Sequence, residues 1–304
     1  MGKIAFVFPG QGSQYVGMAK DLFENSAEAK EMIKTAEEAA GVSLSNIMFY
    51  GPEDSLKQTD ITQPAIFLQS VVLASLIRTI SPEMLAGHSL GEYSALVNAG
   101  AIQFYDAVKL VCLRGSAMLQ AGKEKPGTMA AVIGLKPQDL EDICAEASAF
   151  GVVQCANFNS PGQVVISGSI DGVHKAMELS KAKGAKLVKE LVVSGAFHSP
   201  LMQSAKDLLK AKLDVTPFYN AKIPVYANVT AKPVQQQNEI KDLLCQQLNK
   251  PVRWEETIVN IINDGADEFV EVGPGKVLQG LIKRINPDVK ISGIDKFADL
   301  ERYL

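Results

Sequence analysis

Histidine is scarce in this chain: His88, His174 and His198 are the three among 304 residues. They have no i,i+4 pairing and no cysteine neighbours, so they make no metal site, and a serine in need of an imidazole base has only three candidates. Cysteine is equally thin. Cys112, Cys144, Cys155 and Cys245 are scattered through apolar stretches without C-x-x-C spacing, where a thiol behaves as a small hydrophobe and the pattern fits a reducing, cytoplasmic setting. An excess of positive charge is missing too: 30 Lys and Arg against 34 Asp and Glu give a formal charge of -4. That argues against nucleic acid as a partner, because counterion release needs clustered positive charge. Long apolar runs are absent. Ile4 to Phe8 stops at Pro9, too short for a signal-peptide core. The longest apolar segment, Pro64 to Ile80, contains Gln69, Ser70, Ser75 and Arg78 and reads as a buried helix, so no membrane span is expected.

What is present suits a large globular enzyme. A hydrophobic fraction of 47% over 304 residues supports one big domain or a big-plus-small pair. Ile4 to Phe8, ended by Pro-Gly-Gln-Gly, looks like a strand buried on both faces of a parallel sheet. Helical periodicity follows over Ala27 to Ala40, closed by Gly41, and over Thr62 to Ile80, where Pro64 is placed early enough to tolerate its missing N–H. A short strand, Met84 to Gly87, has a helix behind it, and a long helix from about Phe104 to Ala121 is closed by Gly122. Between Thr128 and Val192 the order becomes strand, helix (Pro137 to Ala147), strand, strand (Gln163 to Ser167), helix (Gly172 to Lys183), strand. This β-α-β-β-α-β order is ferredoxin-like. A helix near Leu201 to Leu213, a strand at Val225 to Ala227, helices around Ile240 to Leu248 and Glu255 to Asn263, a last strand Glu268 to Val272 and a closing helix Lys276 to Ile285 complete the chain. The expected fold class is α/β: a large α/β-hydrolase-like domain with a parallel sheet core, residues 1–125 and 196–304, with a small ferredoxin-like domain inserted at 126–195.

The strongest local signal is Gly87-His88-Ser89-Leu90-Gly91, a G-x-S-x-G between a short strand and a helix, the context of a nucleophile elbow. There Ser89 is presented at a helix N-terminus, where the Leu90 N–H and the helix dipole favour a developing oxyanion. An ordinary strand-to-helix turn with a capping serine is the plainer alternative. For the base, His88 adjoins the serine and points away from it, and His174 lies in a Lys-rich amphipathic stretch that reads as solvated helix. His198 sits in a loop of small residues after a strand, where a scaffold presents catalytic groups. Arg114 projects from an apolar helix face, among Leu110, Val111, Ala117 and Met118, so its guanidinium must find an anion. That anion is either an internal Asp or Glu or a substrate carboxylate, which the planar fork suits bidentately. Two glycine-rich loops are not nucleotide sites. Tyr15 stands where the dinucleotide fingerprint needs its third glycine, and Val270 and Val277 stand where a phosphate loop needs Gly and Ser or Thr.

Taken in order, Phe8-Pro9-Gly10-Gln11-Gly12-Ser13-Gln14, Gly87-His88-Ser89-Leu90-Gly91-Glu92, Arg114-Gly115, Asn157 to Gln163, Gly195-Ala196-Phe197-His198-Ser199 and Val272-Gly273-Pro274-Gly275 span the whole chain. The set resembles the malonyl-CoA:acyl carrier protein transacylases, and the length resembles their free-standing, type II members. The resemblance implies Ser89 as the acylated nucleophile, His198 as general base and acid, and Arg114 as the clamp on the malonyl carboxylate. It further implies the backbone N–H groups of Gln11 and Leu90 as oxyanion hole, and Gln247 as the residue whose backbone carbonyl orients the histidine in place of a triad acid. Phe197 resembles the residue that narrows the pocket toward malonyl over branched units. The implied reaction is a ping-pong transfer from malonyl-CoA to acidic, phosphopantetheinylated acyl carrier protein, supplying extender units for fatty acid synthesis, with no bound cofactor or metal. A monomer is expected. Lys181, Lys183, Lys186 and Lys189 are candidate docking charges or a solvated face. The alternatives are a trans-acting malonyltransferase of a polyketide pathway and a serine thioesterase or esterase. The hydrolase predicts a late histidine preceded by an acid, whereas 106 of the 304 residues follow His198, the last histidine.

Overall fold

The structure, a computed structural model, describes residues 2–301 and 303. Positions 1, 302 and 304, at the ends of the expected large domain, lie outside the described residues. The strands run in chain order β1 (Lys3–Phe8), β2 (Met84–Gly87), β3 (Gly127–Ile133), β4 (Val153–Ser160), β5 (Gln163–Ser169), β6 (Leu187–Glu190), β7 (Val225–Tyr226), β8 (Pro233–Val234), β9 (Ala266–Val272) and β10 (Lys290–Ile294). They form two sheets, one of six strands in the order β10-β9-β1-β2-β7-β8 and one of four in the order β4-β5-β3-β6. The six-stranded sheet is parallel apart from β8, and the four-stranded sheet is antiparallel. The fold is therefore mixed α/β with a parallel sheet and a separate antiparallel one.

The period-2 alternation of β1 explains its unbroken apolar run. Phe6 and Phe8 join one core with Leu85, Leu90 and Tyr93, whereas Ala5 and Val7 join another with Met84, Ala86, Trp254 and Ile258. Both faces of the sheet are covered by helices, and each large side chain so buried contributes about 1.5–3 kcal/mol. β1 and β2 are parallel neighbours whose last paired residues are Phe8 and Gly87. Their C-terminal ends consequently place the Pro9-Gly10-Gln11 loop beside the His88-Ser89-Leu90 turn, the position at which parallel sheets present their sites.

The four-stranded unit divides its side chains the same way. Ala130 and Val132 of β3 pack with Leu140, Ile143, Val173 and Ala176 from its own two helices, Pro137–Ala147 and Ile170–Ala182. The opposite face sends Met129, Ala131 and Val165 into the main core. The small sheet is thus lined by its helices on one side and joined to the large unit on the other.

Three sequence expectations change. Gly122 does not close the long helix, which continues as Phe104–Glu124. Its missing Cβ serves packing instead, since a Cβ there would sit 2.1 Å from the Ser194 carbonyl oxygen. Pro64 lies inside the helix Thr59–Leu76 rather than at its start, because the helix already begins at its N-cap Gln58, whose carbonyl accepts the N–H groups of Ile61 and Thr62. Helix Val277–Ile285 does not end the fold: β10 follows it and pairs parallel with β9, and a short helix, Phe297–Leu300, comes after. The short helices Lys20–Asn25, Leu44–Tyr50 and Glu53–Leu56 carry too few turns to show periodicity in sequence. Among the described residues, no helix is long and apolar enough to cross a membrane, and no cluster of His, Cys, Asp or Glu could hold a metal.

Candidate active site

Ser89 stands at the turn between β2 and the helix Gly91–Asn98 with φ of 50°, a left-handed conformation that a non-glycine residue holds only when its surroundings impose it. The surroundings are tight. A Cβ at Gly91 would lie 2.1 Å from the Phe8 carbonyl oxygen, and one at Gly10 would lie 2.5 Å from the His88 carbonyl oxygen. Those two positions let the elbow and the Gln11 loop touch backbone to backbone. Asn228, just after β7, completes the turn: its Oδ1 accepts the Ser89 N–H at 2.7 Å and its Nδ2 donates to the Gly87 carbonyl at 2.7 Å. With the Ser89 amide held there, the helix begins with the Leu90 N–H free of protein acceptors among the described residues, as is that of Gln11.

His198 also has positive φ, 56°. Its Nε2 is 2.8 Å from Ser89 Oγ and its Nδ1 is 2.8 Å from the backbone carbonyl of Gln247. A carbonyl oxygen only accepts, so Nδ1 carries the proton and Nε2 presents its lone pair to the serine hydroxyl. Burial, aided by the nearby Arg114 charge and opposed by the Gln247 carbonyl, pushes the His198 pKa down to about 3. The imidazole is neutral at physiological pH, as a base must be. From the small unit, Gln154 of β4 donates its Nε2 to the His198 carbonyl at 2.7 Å.

Arg114 is 1% exposed, on the helix Phe104–Glu124. Its Nη1 donates to Gln63 Oε1 at 2.6 Å, and its Nη2 donates to Gln247 Oε1 at 2.9 Å and to Ser89 Oγ at 3.0 Å. Its guanidinium lies 5.7 Å from the centre of the Tyr93 ring. Among the described residues no Asp or Glu oxygen forms an ion pair with it. The internal anion open from sequence is therefore not in contact. Glu92 is the nearest in kind: it is 3% exposed, and burial lifts its carboxyl to about 7 against the hydrogen bonds from Asn228 and Gln247 and the attraction of Arg114.

A cleft of about 970 Å³ is lined by Gln11, Ser89, Leu90, Arg114, Phe197 and His198, with Gln247 behind them. The small unit supplies Met129, Asn157, Asn159, Val165 and Leu191 to the facing wall. His88 turns from the serine, its Nε2 2.8 Å from Asn159 Oδ1 and its ring 5.5 Å from that of Trp254. His174 is half exposed beside Glu190. Lys181, Lys183, Lys186 and Lys189 are exposed, and Lys183 pairs with Asp139 at 3.5 Å. The lysines that line the cleft are Lys57 and Lys123. Sequence reasoning did not identify Gln63, Asn228 or Gln154, and it quoted Glu92 only as part of the motif. A polar Gln63 within a buried apolar helix was the one available signal; Asn228 and Gln154 carry none locally.

A hydroxyl bonded to a neutral imidazole, in a half-buried cleft with a cation and two N–H groups nearby, can attack an acyl carbon and hold the acyl group as an ester. The comparisons agree in kind. The acyl transferase domain family matches residues 5–290. The chain is 45% identical over 304 residues to the malonyl CoA-acyl carrier protein transacylase of Bacillus subtilis, covering 99% of this chain and 96% of that one. Among solved structures it is similar to an acyl carrier protein S-malonyltransferase from Vibrio cholerae, with a TM-score of 0.94, 43% identity and 99% of each chain covered. It is also similar to a malonyl-transacylase in complex with its type II PKS acyl-carrier protein, with a TM-score of 0.95, 40% identity and 99% of each chain covered.

Proposed function

The chain belongs to the acyl transferase family, among the malonyl CoA-acyl carrier protein transacylases, and on that premise we propose that it transfers malonyl groups from malonyl-CoA to acyl carrier protein through an ester on Ser89. The observation that carries this reading is the position of one buried cation. Arg114 Nη2 lies 3.0 Å from the same Ser89 Oγ that lies 2.8 Å from His198 Nε2. In a malonyl group a single methylene separates the thioester carbonyl from the carboxylate. An anion receptor beside the nucleophile therefore fits a short diacid and leaves an uncharged acyl group with an unmatched guanidinium.

In this mechanism His198 Nε2 takes the Ser89 proton as Oγ attacks the thioester carbon. The oxyanion is stabilised by the Gln11 and Leu90 N–H groups, and the C–S bond breaks with the proton passing from His198 to the departing CoA thiolate. The phosphopantetheine thiol of the carrier then gives its proton to His198, its sulfur attacks the ester, and Ser89 leaves with that proton restored. Gln247 holds the imidazole through a neutral carbonyl, where a hydrolase triad would use a carboxylate. Phe197, 6% exposed on the cleft wall, limits the space for a branch on the acyl group. Chemistry of this kind needs no metal or bound cofactor, and it would supply extender units for fatty acid synthesis. Service to polyketide assembly is the second reading, favoured by the likeness to a malonyl-transacylase that works with a type II PKS carrier protein.

The order β-α-β-β-α-β and the strand order β4-β5-β3-β6 support reading residues 126–195 as an inserted ferredoxin-like domain. The elbow after β2 supports reading 1–125 and 196–304 as an α/β-hydrolase-like domain. Four unpaired thiols accord with a reducing, cytoplasmic setting. The test of the reaction class is a chase: malonyl-enzyme freed of excess malonyl-CoA is mixed with phosphopantetheinylated carrier protein or with buffer. Discharge at least about 100-fold faster to carrier than to water is expected, and equal rates would make the protein a hydrolase.

A further inference from the structure

The reaction as derived leaves unused the buried carboxyl of Glu92, hydrogen-bonded to Gln247 within the site. Glu92 opens the helix Gly91–Asn98, is 3% exposed, and forms no ion pair among the described residues. A buried carboxylate is expensive, and a well-packed apolar side chain in its place would serve stability as well or better. What the Glu92 Oε2 oxygen offers, and the NH₂ of an amide of the same shape does not, is that it accepts hydrogen bonds whether the carboxyl is ionised or carries its proton on Oε1. Glu92 Oε2 accepts two, from the Asn228 backbone N–H at 3.0 Å and from Gln247 Nε2 at 2.8 Å.

The Gln247 bond decides which way round that amide lies. Its Nε2 faces Glu92 and also donates to the Ser89 carbonyl at 3.0 Å, so its Oε1 faces Arg114 Nη2 at 2.9 Å. Turned over, the amide would set its NH₂ against the guanidinium and its oxygen against the carboxylate, two repulsions replacing two bonds. An acceptor-only group at one end and a donor-only group at the other thus leave Gln247 a single orientation. The same residue's backbone carbonyl holds His198 Nδ1. Asn228, the other residue Glu92 holds, grips the elbow from both sides through the Ser89 N–H and the Gly87 carbonyl.

We infer that Glu92 is a positioning residue for acyl transfer: its carboxylate locks Gln247 and Asn228, and through them sets the Arg114 guanidinium, the His198 ring and the Ser89 turn in mutual register. The inference rests on the transfer reaction proposed above. It touches no substrate atom, so its signature is selectivity as well as rate. Misplacing Arg114 penalises a substrate with a carboxylate and spares one without.

The experiment compares kcat/KM for malonyl-CoA and acetyl-CoA in wild type and Glu92→Gln. Glutamine matches the shape but can offer its own NH₂ to Gln247, which releases the lock. Malonyl transfer should fall on the order of tenfold or more, the equivalent of one charge-assisted hydrogen bond, and the malonyl-to-acetyl ratio should fall with it while circular dichroism and the melting temperature stay near wild type. If Glu92→Gln does not fold, Glu92→Asp, which keeps the charge and withdraws the oxygen from both donors, is read by the same ratio. An unchanged ratio overturns the inference, as does collapse of both variants, which would make Glu92 a folding determinant only. Wild type that transfers neither acyl group would instead sink the transfer reading itself.

Discussion

The six-stranded and four-stranded regions meet at the same cleft but are built differently. On the parallel sheet, strain and buried polarity are concentrated: Ser89 sits at positive φ, as does His198 on the connection returning from the small unit, and Glu92, Arg114, Asn228 and Gln247 are all buried within one hydrogen-bonded network. The antiparallel unit has an unbroken β3–β5 pairing, a β4–β5 hairpin that shifts register twice, an apolar core of its own and a wall of mostly apolar or amide side chains toward the cleft. The contrast teaches where the chemistry is set. The parallel sheet fixes charge and nucleophile, and the small unit closes the space and steadies the base from behind through Gln154.

The largest break in that comparison should come from the polar side. Arg114→Ala is expected to lower kcat/KM for malonyl-CoA on the order of 100-fold, while acetyl transfer falls little or rises, because only the diacid uses the guanidinium. Equal losses for both substrates would remove Arg114 as the clamp. The same variant removes the largest cause after burial that depresses the His198 pKa, so that pKa should rise toward its ordinary value. The acid limb of the acylation rate should then move to higher pH; a limb that stays in place would show that the Arg114 charge does not tune the base.

At the seam between the regions, Phe197→Ser is expected to raise the methylmalonyl-to-malonyl ratio of kcat/KM about tenfold, the scale of a methyl group in an apolar pocket. No rise counts against a size gate. The smallest effect belongs to the small unit. Gln154→Ala leaves the His198 carbonyl without its side-chain donor, and kcat should fall only about threefold to tenfold, within the range of one neutral hydrogen bond, with KM for malonyl-CoA little changed. A loss as large as that of Arg114→Ala would place part of the catalytic machinery in the four-stranded unit and undo the division drawn here.

The same division governs how much could be read from sequence. The helix Pro137–Ala147 and strand Met84–Gly87 have the expected bounds, and the helix Ala27–Ala40 is legible because Ser26 caps its start and Gly41, at φ of 69°, ends it. Gly122 misled because a glycine that ends a helix and one that admits a neighbouring backbone look alike in sequence; only the Ser194 carbonyl beside it separates them. At the site, Ser89 and His198 stood out because motif and scarcity both pointed to them, and Arg114 because its charge interrupted an apolar face. Gln63, Asn228 and Gln154 did not, since a buried amide acquires its role from partners far away in the chain, as with Asn228, which lies 139 positions after Ser89.

Acylation of Ser89 is tested most directly by intact-protein mass spectrometry after brief mixing with malonyl-CoA, on wild type and on Ser89→Ala. One malonyl adduct is expected on the wild-type chain, absent from Ser89→Ala, and discharged by phosphopantetheinylated carrier protein. An equal adduct on both proteins, or none on the wild type, would contradict acylation of Ser89.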